Sequence, residues 1–541
     1  MVTTTLRPYQ EEAIAAVLAA RREGTRRMVV CLPTGAGKTV IFAQLARLAR
    51  KQVLVLAHRE ELLGQAREKL ERALDGQGVV AIERGSERAA ADAKVLVCSL
   101  RSLHEQRLEK VLEGRDFGLV IYDECHHAAA DDNLRILRRL GAFEEGWGGT
   151  LLGFTATTMR GDGKGLDEVF ERIVYTQTLP DLIGAGYLSP LRGFRVDTAA
   201  DLTRISGGGL DFAEDELAEA VDIEDRNALV ARSIQELARD RRTIAFCVTV
   251  KHARNLSRAL NAVGVPAGIV HGAMAAEDRR HALAEFRAGK VHVLTNVGVL
   301  TEGFDDPGVS CVAMARPTRS EGLYAQCVGR GTRLFEGKKD CLVLDFVDLS
   351  NLSLCTLPSL FGAPRDLDLR GGDVMQARSS WLQIIEENPG FELEAGALTL
   401  QEIQDRAAAF DPLTLETDHE VRAISSNAWF SLGRHGLGLH FEHAPGRIGE
   451  LLVRRKQGRG KKWEITLDGK PMAAFGTMEQ AVEACDFELN RRGRLTDASA
   501  REDARWRRQP SGQSGASTAA EALRRAVWER VVGYQPRGAT R

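Results

Sequence analysis

From Arg7 to about Val347, short apolar runs alternate with amphipathic segments. The runs RMVVCL, VLVLA, KVLVCS, FGLVIY and GTLLGF each end at polar or small residues, and segments such as REELLGQAREKL lie between them. The alternation begins again with RTIAFCV and continues through AGIVHG, VHVLTN, VSCVAMAR and CLVLDFVD. Such alternation is typical of β-α units that form a parallel sheet with helices on both faces. The sequence therefore predicts an α/β fold with two such lobes in tandem.

The chain of 541 residues is too long for one ordinary domain, and its composition changes after the second lobe. Residues 386–420 carry ten Asp or Glu and one Arg, which is typical of a solvated linker. The tail from Phe487 has twelve Arg against six acids and a Gly/Ser-rich stretch, QPSGQSGAST, so we expect its first half to be flexible. We predict six segments: a first lobe at 1–190, a connector at 191–225, a second lobe at 226–350, an acidic, partly helical linker at 351–420, a small α+β module at 421–490 and an Arg-rich, partly disordered tail at 491–541.

Composition argues against several other classes of protein. No run of eighteen apolar residues occurs, so no membrane span is expected. The N-terminus MVTTTLRPYQEEA has no basic region followed by an apolar one, so a secretory signal is not expected. The nine cysteines include no C-x-x-C pair, which predicts buried thiols in a reducing cytoplasm and no zinc site. The net charge of −2 gives no global basic surface, so any contact with nucleic acid must be local.

The stretch LPTGAGKTV, which begins at Leu32, lies between an apolar run and a helical segment. A strand, a glycine turn with exposed N–H groups and a helix N-terminus together form a phosphate cradle. Gly35 and Gly37 would let the backbone approach the phosphates. Lys38 would reach the β- and γ-phosphates, and the Thr39 hydroxyl would bind Mg²⁺. Because the generic pattern has glycine where this chain has Leu32, an ordinary strand-loop-helix junction is the alternative.

The stretch GLVIYDECHH places Asp123 and Glu124 at the end of another apolar run. Two adjacent carboxylates at the end of a buried strand are costly unless they serve an ion or a proton. Asp123 suits the water shell of Mg²⁺, and Glu124 suits a base that orients an attacking water. For either residue alone, an acidic strand end that caps a helix is the alternative. Together, 85 positions after Lys38, they favour a nucleotide-hydrolysing site.

The stretches PTGAGKT and DECH resemble motifs I and II of the superfamily 2 helicases, the DEAD/DEAH-box group, in which proline and threonine commonly precede the glycine turn. Leu32 then departs only from the generic pattern. The resemblance implies two RecA-like lobes with doubly wound parallel sheets. It also implies that the protein binds ATP and Mg²⁺, and it adds Thr34 and Ala36 to the nucleotide-binding residues.

The remaining motifs follow in family order. LRPYQ resembles the upstream element that reads adenine, which implies nucleotide contacts for Arg7 and Gln10. FTATT resembles motif III, which couples the two lobes. VLTNVGVLTEGFDDP resembles motif V and implies a nucleotide contact for Asp305. QCVGRGTR matches the Q-x-x-G-R-x-x-R pattern of motif VI, in which Gln326 is a further expected nucleotide contact.

Motif VI contains Arg330 and Arg333, which lie on the second lobe and which we expect to face Lys38. A γ-phosphoryl group in a loose transition state needs positive charge, and the arginine fork can supply it when the lobes close. Both arginines are therefore candidate catalytic residues. The alternative is that two arginines on a helix are simply solvated.

Helicase lobes follow a strand mostly through its phosphates, for which hydroxyl, guanidinium and N–H groups are suited. LAHREEL and CSLRSL resemble the motifs that face the nucleic acid, and FCVTVKHA resembles motif IV. By motif position, the resemblance implies five nucleic-acid contacts: His58, Arg59, Ser99, Thr249 and Thr295.

Outside the lobes, VRRKQGRGKKW has six basic residues, no acid and two glycines. This stretch could be a hairpin turn that binds a phosphate backbone, with Trp463 as a stacking platform. Its candidate nucleic-acid contacts are Arg454, Arg455, Lys461 and Lys462. The alternative is a solvated turn with Trp463 in the core of the module.

The full set of motifs, over about 340 residues, is most similar to the RadD-type bacterial DNA-repair helicases, which are related to XPB-like and restriction-subunit translocases. This resemblance implies an ATP-dependent helicase or translocase that acts on single-stranded or branched DNA in repair or recombination. Some RadD-type proteins carry a cysteine zinc element after the second lobe, which the spacing of Cys341 and Cys355 does not match. The core motifs barely separate DNA from RNA, so an RNA helicase or remodeller is an alternative. A catalytically silent nucleic-acid-binding scaffold is another, and any protein partner is expected at the C-terminal module.

Overall fold

The structure is a computed structural model, and the chain divides into two compact units, Met1–Arg378 and Ser379–Arg541. The first unit contains two parallel sheets, and the second contains an antiparallel sheet. The described residues are 6–57, 60–76, 78–83, 92–156, 166–205, 207–208, 211–301, 304–350, 353–388, 391, 393, 396, 398–410, 421, 424–425, 427, 429–432, 435–444, 447–455, 463–492, 526–527 and 530–531.

The first lobe is a seven-stranded sheet in the order β3-β4-β2-β5-β6-β1-β7, and every neighbouring pair is parallel. Its elements are α1 (Pro8–Arg22), β1 (Arg27–Cys31), α2 (Lys38–Leu48), β2 (Gln52–Ala57), α3 (Glu60–Leu74), β3 (Val80–Glu83), β4 (Val95–Ser99), α4 (Glu105–Leu112), β5 (Phe117–Asp123), α5 (Asp131–Arg139), β6 (Leu151–Thr155), β7 (Arg172–Thr176) and α6 (Leu179–Gly184). Strands β1, β2, β4 and β5 are buried almost throughout, which is why they read as continuous apolar runs.

Strand β6 lies between β1 and β5, and all three are parallel. Their carboxyl ends therefore meet at the same edge of the sheet. In parallel α/β sheets this edge carries the ligand-binding loops. The stretches that follow β1 and β5 are the glycine turn and the acidic pair, so the topology brings these two motifs together.

The second lobe is a six-stranded parallel sheet in the order β12-β13-β11-β14-β15-β8. Its elements are β8 (Leu191–Asp201), β9 (Gly207–Gly208), β10 (Asp211–Phe212), α7 (Glu214–Val221), α8 (Glu224–Ala238), β11 (Thr243–Phe246), α9 (Val250–Ala262), β12 (Ala267–His271), α10 (Ala276–Arg287), β13 (Val293–Val297), β14 (Cys311–Met314), α11 (Glu321–Val328) and β15 (Cys341–Leu349). After it come α12 (Leu357–Leu360), β16 (Leu367–Asp368) and α13 (Val374–Glu387).

The segment 191–225, expected as a connector, instead begins with an edge strand of the second sheet. Strand β8 pairs in parallel with β15, with Leu191 opposite Cys341. The short antiparallel strands β9 and β10 and helix α7 follow it. An edge strand is covered less completely than a central one, and β8 alternates between buried and exposed residues. It therefore lacks the continuous apolar run that marks the central strands.

The C-terminal unit contains a five-stranded antiparallel sheet in the order β18-β19-β20-β21-β22. Its elements are β17 (Leu398–Thr399), α14 (Leu400–Ala409), β18 (Phe430–Ser431), β19 (Gly436–Ala444), β20 (Arg447–Arg455), β21 (Trp463–Leu467), β22 (Lys470–Phe475) and α15 (Met478–Arg492). Apolar residues of α15, among them Val482 and Cys485, pack on one face of this sheet against Leu451 and Val453. The predicted fold class, two parallel-sheet lobes followed by a small α+β module, is confirmed.

Most of the predicted Arg-rich tail, 491–541, lies outside the described residues. Within the described part of the chain, no helix has both the length and the apolar character needed to cross a membrane.

Candidate active site

The turn between β1 and α2 has the conformation that a phosphate cradle needs. Gly35 and Gly37 have φ angles of 88° and 75°, a region that favours glycine. A Cβ on Gly37 would lie 2.8 Å from Nε2 of Gln10, and a Cβ on Gly35 would lie 3.0 Å from Oγ1 of Thr332. Helix α2 begins at Lys38, immediately after the turn, so its first N–H groups are available to an anion.

Leu32, at the generic glycine position, directly follows β1 and still bonds to the neighbouring strand β6. Its side chain is fully buried, and its N–H donates to the carbonyl of Thr155 at 2.9 Å. The chain therefore remains extended at this point, and the turn begins only after Leu32. The departure from the generic pattern leaves the cradle intact.

Side chains of the first turn of α1 donate hydrogen bonds to the backbone of the phosphate-binding turn. The Tyr9 hydroxyl donates to the Ala36 carbonyl at 2.7 Å, and Nε2 of Gln10 donates to the same carbonyl at 3.4 Å. The Arg7 N–H donates to Oε1 of Gln10 at 3.0 Å, and the Arg7 guanidinium donates to the Tyr187 carbonyl. Burial raises the pKa of Tyr9, which keeps its hydroxyl a donor. Sequence reasoning missed Tyr9, although the residue lies between Arg7 and Gln10 in the motif.

The acidic pair lies at the end of β5. Glu124 is buried and has a φ angle of 52°, a left-handed conformation that a residue other than glycine adopts at an energetic cost. Its Oε1 accepts a hydrogen bond from Nζ of Lys38 at 3.1 Å. Its Oε2 lies 3.5 Å from Nδ1 of His126, and that nitrogen lies 3.1 Å from Oγ1 of Thr155. Oδ1 of Asp123 accepts the N–H of Glu124.

Lys38 is buried against these acids. Burial alone would lower the pKa of its ammonium, but the carboxylates of Glu124 and Asp123 outweigh burial and raise the pKa above its ordinary value. Arg330, on the second lobe, acts in the opposite direction. Lys38 is therefore held as a cation, and the charge of Arg330 is close enough to affect it.

The motif VI turn of the second lobe packs directly on the phosphate-binding turn. A Cβ on Gly329 would lie 2.5 Å from Cβ of Thr34, so only glycine fits at this contact. Oγ1 of Thr332 lies 3.5 Å from the Thr34 carbonyl oxygen, to which it can donate. Ser189, in the segment between the lobes, binds the motif VI turn through two hydrogen bonds. Its N–H donates to the Thr332 carbonyl at 2.6 Å, and its hydroxyl donates to the Arg333 carbonyl.

Both motif VI arginines are oriented by groups of motif V. Arg330 is buried. Its Nη2 donates to the Thr301 carbonyl and its Nη1 donates to the Phe304 carbonyl, both at 2.8 Å. Nε of Arg333 lies 3.0 Å from Oδ1 of Asp305, and Nη1 donates to the Phe304 carbonyl at 3.2 Å. The two guanidinium groups are therefore held in the second lobe at the face that meets the first.

Two lysines that sequence reasoning did not identify complete this region. Nζ of Lys69, on α3 of the first lobe, lies 3.4 Å from Oδ2 of Asp305. Nζ of Lys338 donates to the carbonyls of Gly331 and Arg333 at 2.5 and 2.7 Å. Burial lowers the pKa of Lys338 to about 8. Neither lysine falls in a stretch that the motif comparison singled out, so only the fold relates them to the arginines.

Gln326, the expected nucleotide contact of motif VI, faces a cavity of about 270 Å³. Thr301, Phe246, Leu323 and Arg316 also line this cavity, and its lining residues all belong to the second lobe. Gln326 is buried and makes no side-chain hydrogen bond within the described residues. The nucleotide contact of Gln326 stays a prediction.

Two of the expected nucleic-acid contacts, Thr295 and Ser99, have buried side chains, and their contact with nucleic acid stays a prediction. Thr295 is fully buried, and its hydroxyl contacts the carbonyls of Ala253 and Gly268 at 3.0 and 3.1 Å. The side chain thus links β13 to α9 and β12. Ser99 is also fully buried at the end of β4, and its hydroxyl has no hydrogen-bond partner in the described part of the chain.

Thr249 caps helix α9, because its hydroxyl accepts the N–H of His252 at 3.2 Å. Its side chain is partly exposed, so the predicted contact with nucleic acid stays open. Four expected contacts lie outside the described residues: His58, Arg59, Lys461 and Lys462.

Arg454 and Arg455 end strand β20, and both are exposed. Arg455 is opposite Trp463 in the register with β21. Trp463 is partly buried against the apolar cluster of the module. This packing agrees with the alternative in which the tryptophan belongs to the core, while the two arginines stay available at the surface.

The residues at the carboxyl edge of the first sheet fit ATP with Mg²⁺. Oγ1 of Thr34 and Oε2 of Glu124 are buried and have no hydrogen-bond partner among the described residues. They lie beside a glycine turn that side chains would fill and beside the buried cation Lys38. Thr39 and Asp123 offer the hydroxyl and carboxylate oxygens that Mg²⁺ prefers.

Known families match both lobes. Residues 3–160 match the family described as "Type III restriction enzyme, res subunit", and residues 225–334 match "Helicase conserved C-terminal domain". A Schizosaccharomyces pombe protein named as a mitochondrial ATP-dependent helicase, irc3, is 38% identical over 437 residues, which are 79% of this chain and 71% of that protein.

Two further relatives span different shares of the chain. A Saccharomyces cerevisiae protein named as an ATP-dependent helicase, IRC3, is 31% identical over 375 residues. The matched region covers 67% of this chain and 54% of that protein. The "DNA 3'-5' translocase XPB2" of Sulfurisphaera tokodaii is 24% identical over 63% of this chain and 81% of that protein.

The tandem parallel-sheet lobes, the phosphate-binding turn and the acidic pair define a two-lobed nucleotide-binding protein of the P-loop class. With the similarity to irc3 over most of both chains, the assignment is specific: the chain belongs to the superfamily 2 ATP-dependent helicases. The matches do not single out the RadD-type subgroup, which stays a prediction.

Proposed function

We propose that the protein hydrolyses ATP when nucleic acid is bound and uses the reaction to move along, unwind or remodel DNA. The observation that supports this proposal most is the contact between Gly329 of the second lobe and Thr34 of the first. Through this contact the arginines of one lobe stand beside the lysine and glutamate of the other. Such a divided site links hydrolysis to movement of the lobes.

Lys38 and Glu124 would carry the central chemistry. Their ion pair is buried, with 3.1 Å between Nζ of Lys38 and Oε1 of Glu124. It orients both side chains, and the neighbouring carboxylates raise the pKa of the Lys38 ammonium. The β- and γ-phosphates would compete for the Lys38 ammonium. Glu124 would then be free to orient the attacking water and accept its proton, with His126 beside its second oxygen.

Thr39 and Asp123 would hold Mg²⁺, which neutralises charge on the β- and γ-phosphate oxygens when bound. Tyr9 and Gln10 support the turn through the Ala36 carbonyl and would keep its N–H groups directed at the phosphates. Arg7 orients Gln10, in keeping with an adenine-reading role for this segment.

Arg330 and Arg333 would stabilise the charge that develops on the γ-phosphoryl group. Arginine fingers supply roughly 10³-fold or more in related phosphoryl transfers. The hydrogen bonds of Arg330 to motif V carbonyls would hold that segment in register with the arginines as the lobes close.

DNA is the nucleic acid that we favour. The relative from Sulfurisphaera tokodaii is named as a DNA translocase, and the first lobe matches a restriction-enzyme family. A role in repair or recombination is our inference from the motif resemblance. A cytoplasmic location stays a prediction, and the S. pombe relative is named as mitochondrial.

The ATPase rate measured with single-stranded DNA, duplex DNA, forked DNA, RNA or no nucleic acid tests this proposal. We expect single-stranded or forked DNA to stimulate hydrolysis more than RNA does. Greater stimulation by RNA would favour the RNA remodeller. Absence of hydrolysis in every arm would leave only the silent scaffold.

A further inference from the structure

Asp305 divides its carboxylate between two cations that belong to different lobes. Its Oδ1 lies 3.0 Å from Nε of Arg333, on the second lobe. Its Oδ2 lies 3.4 Å from Nζ of Lys69, on helix α3 of the first lobe. The three side chains are 31%, 19% and 35% exposed, for Asp305, Arg333 and Lys69, so the network is partly shielded from water.

The charges of this network favour its ionised form. Burial alone would raise the pKa of Asp305, but Arg333 and Lys69 outweigh burial and lower the pKa below its ordinary value. Asp305 therefore stays a carboxylate at neutral pH and can hold both cations. With Lys69 absent, one carboxylate oxygen would lose its partner, and the carboxyl group could turn away from Arg333.

Because Lys69 lies on the first lobe, this network depends on contact between the two lobes. Asp305 and Arg333 move together because both belong to the second lobe, whereas Lys69 moves with α3 of the first. The ion pair of Lys69 with Asp305 can form only when the lobes are together. Lys69 thus makes the orientation of Arg333 depend on lobe contact.

We propose that Lys69 is a positioning residue that orients Arg333 through Asp305 when the two lobes meet. This inference rests on the proposed function, because it assigns Lys69 an effect on ATP hydrolysis. Lys69 is not among the predicted nucleotide contacts, and its partner is the carboxylate of Asp305. Its effect is on the rate of the chemical step, since the Arg333 charge is needed in the transition state and little in ground-state binding.

The test compares the ATPase kinetics of three variants on α3, Lys69→Met, Lys69→Arg and Arg72→Met, with those of the unmodified protein. Each protein is measured with saturating single-stranded DNA and again without nucleic acid. Arg72 is a matched control, because its partner on the same helix is Glu68 and both side chains are largely exposed. We expect Lys69→Met to lower kcat roughly three- to tenfold while KM for ATP changes little. Lys69→Arg should restore most of the rate, and Arg72→Met should behave as the unmodified protein does.

The salt dependence of kcat provides a second test of the ion pair. Ionic strength screens partly exposed ion pairs, so the difference in kcat between the unmodified protein and Lys69→Met should narrow as salt rises.

An unchanged kcat in Lys69→Met would overturn the inference. It would also be overturned if Lys69→Met lowered kcat and changed KM for ATP to a similar extent, and Lys69→Arg did not restore the rate. An unmodified protein without ATPase activity under any condition would instead overturn the proposed function, and the inference with it. Thermal unfolding of each variant checks that the fold is retained.

Discussion

Glu124→Gln is expected to abolish ATP turnover while leaving ATP binding intact. The amide keeps the shape of the side chain and can still accept a hydrogen bond from Lys38, but it cannot take a proton from water. General-base catalysis typically contributes on the order of 10²- to 10⁴-fold, and we expect a loss of kcat on this scale. Binding should be equal or tighter, because Lys38 would no longer be neutralised by a carboxylate. Single-turnover hydrolysis and equilibrium binding of ATP measure the two effects separately.

Glu23→Gln is a suitable control for this substitution. Glu23 lies in the same lobe and pairs with Arg172 at the surface, where both side chains are more than half exposed. Its replacement should change neither binding nor turnover. Normal hydrolysis in Glu124→Gln would rule out Glu124 as the base.

Arg333→Ala is expected to lower kcat by about 10³-fold, with a much smaller effect on ATP binding. Arg333 offers a cleaner test than Arg330, because Arg330 is buried and its loss would remove both of the hydrogen bonds that it donates to the Thr301 carbonyl. Arg333→Lys should recover little of the rate, since a lysine cannot reproduce the planar fork that would contact Asp305 and the phosphoryl group at once. Steady-state kinetics at saturating ATP measure the loss.

Arg258→Ala serves as the matched control in the second lobe. Arg258 is exposed on α9, where its guanidinium contacts Asn255 of the same helix. A fall in kcat in Arg333→Ala no greater than that in Arg258→Ala would remove Arg333 from the mechanism.

Sequence reasoning identified the parts of the site that lie within continuous motifs. Gly35, Gly37 and Lys38 follow a buried strand, and Asp123 and Glu124 end another, so local pattern and burial cost already indicate their chemistry. The two-lobed α/β fold follows from the alternation of apolar runs in the same way, because central strands are buried on both faces.

Other features arise from tertiary contacts, which local patterns do not contain. Lys69 and Asp305 are separated by 236 positions, and only the packing of α3 against the second lobe relates them. Tyr9 contacts Ala36 across 27 positions. The burial of Thr295 depends on α9 and β12 around it, since a threonine in a strand can face either the core or the solvent.

The divided site is tested most directly by a crystal structure of the protein with Mg²⁺, ADP and aluminium fluoride. Aluminium fluoride mimics the γ-phosphoryl group in the transition state. We expect the fluoride group to lie between Lys38 and the motif VI arginines, with a guanidinium of Arg330 or Arg333 within hydrogen-bond distance and Glu124 beside the attacking water. A structure in which both arginines stay bound only to Thr301, Phe304 and Asp305, with no side chain of the second lobe in contact with the fluoride, would contradict it.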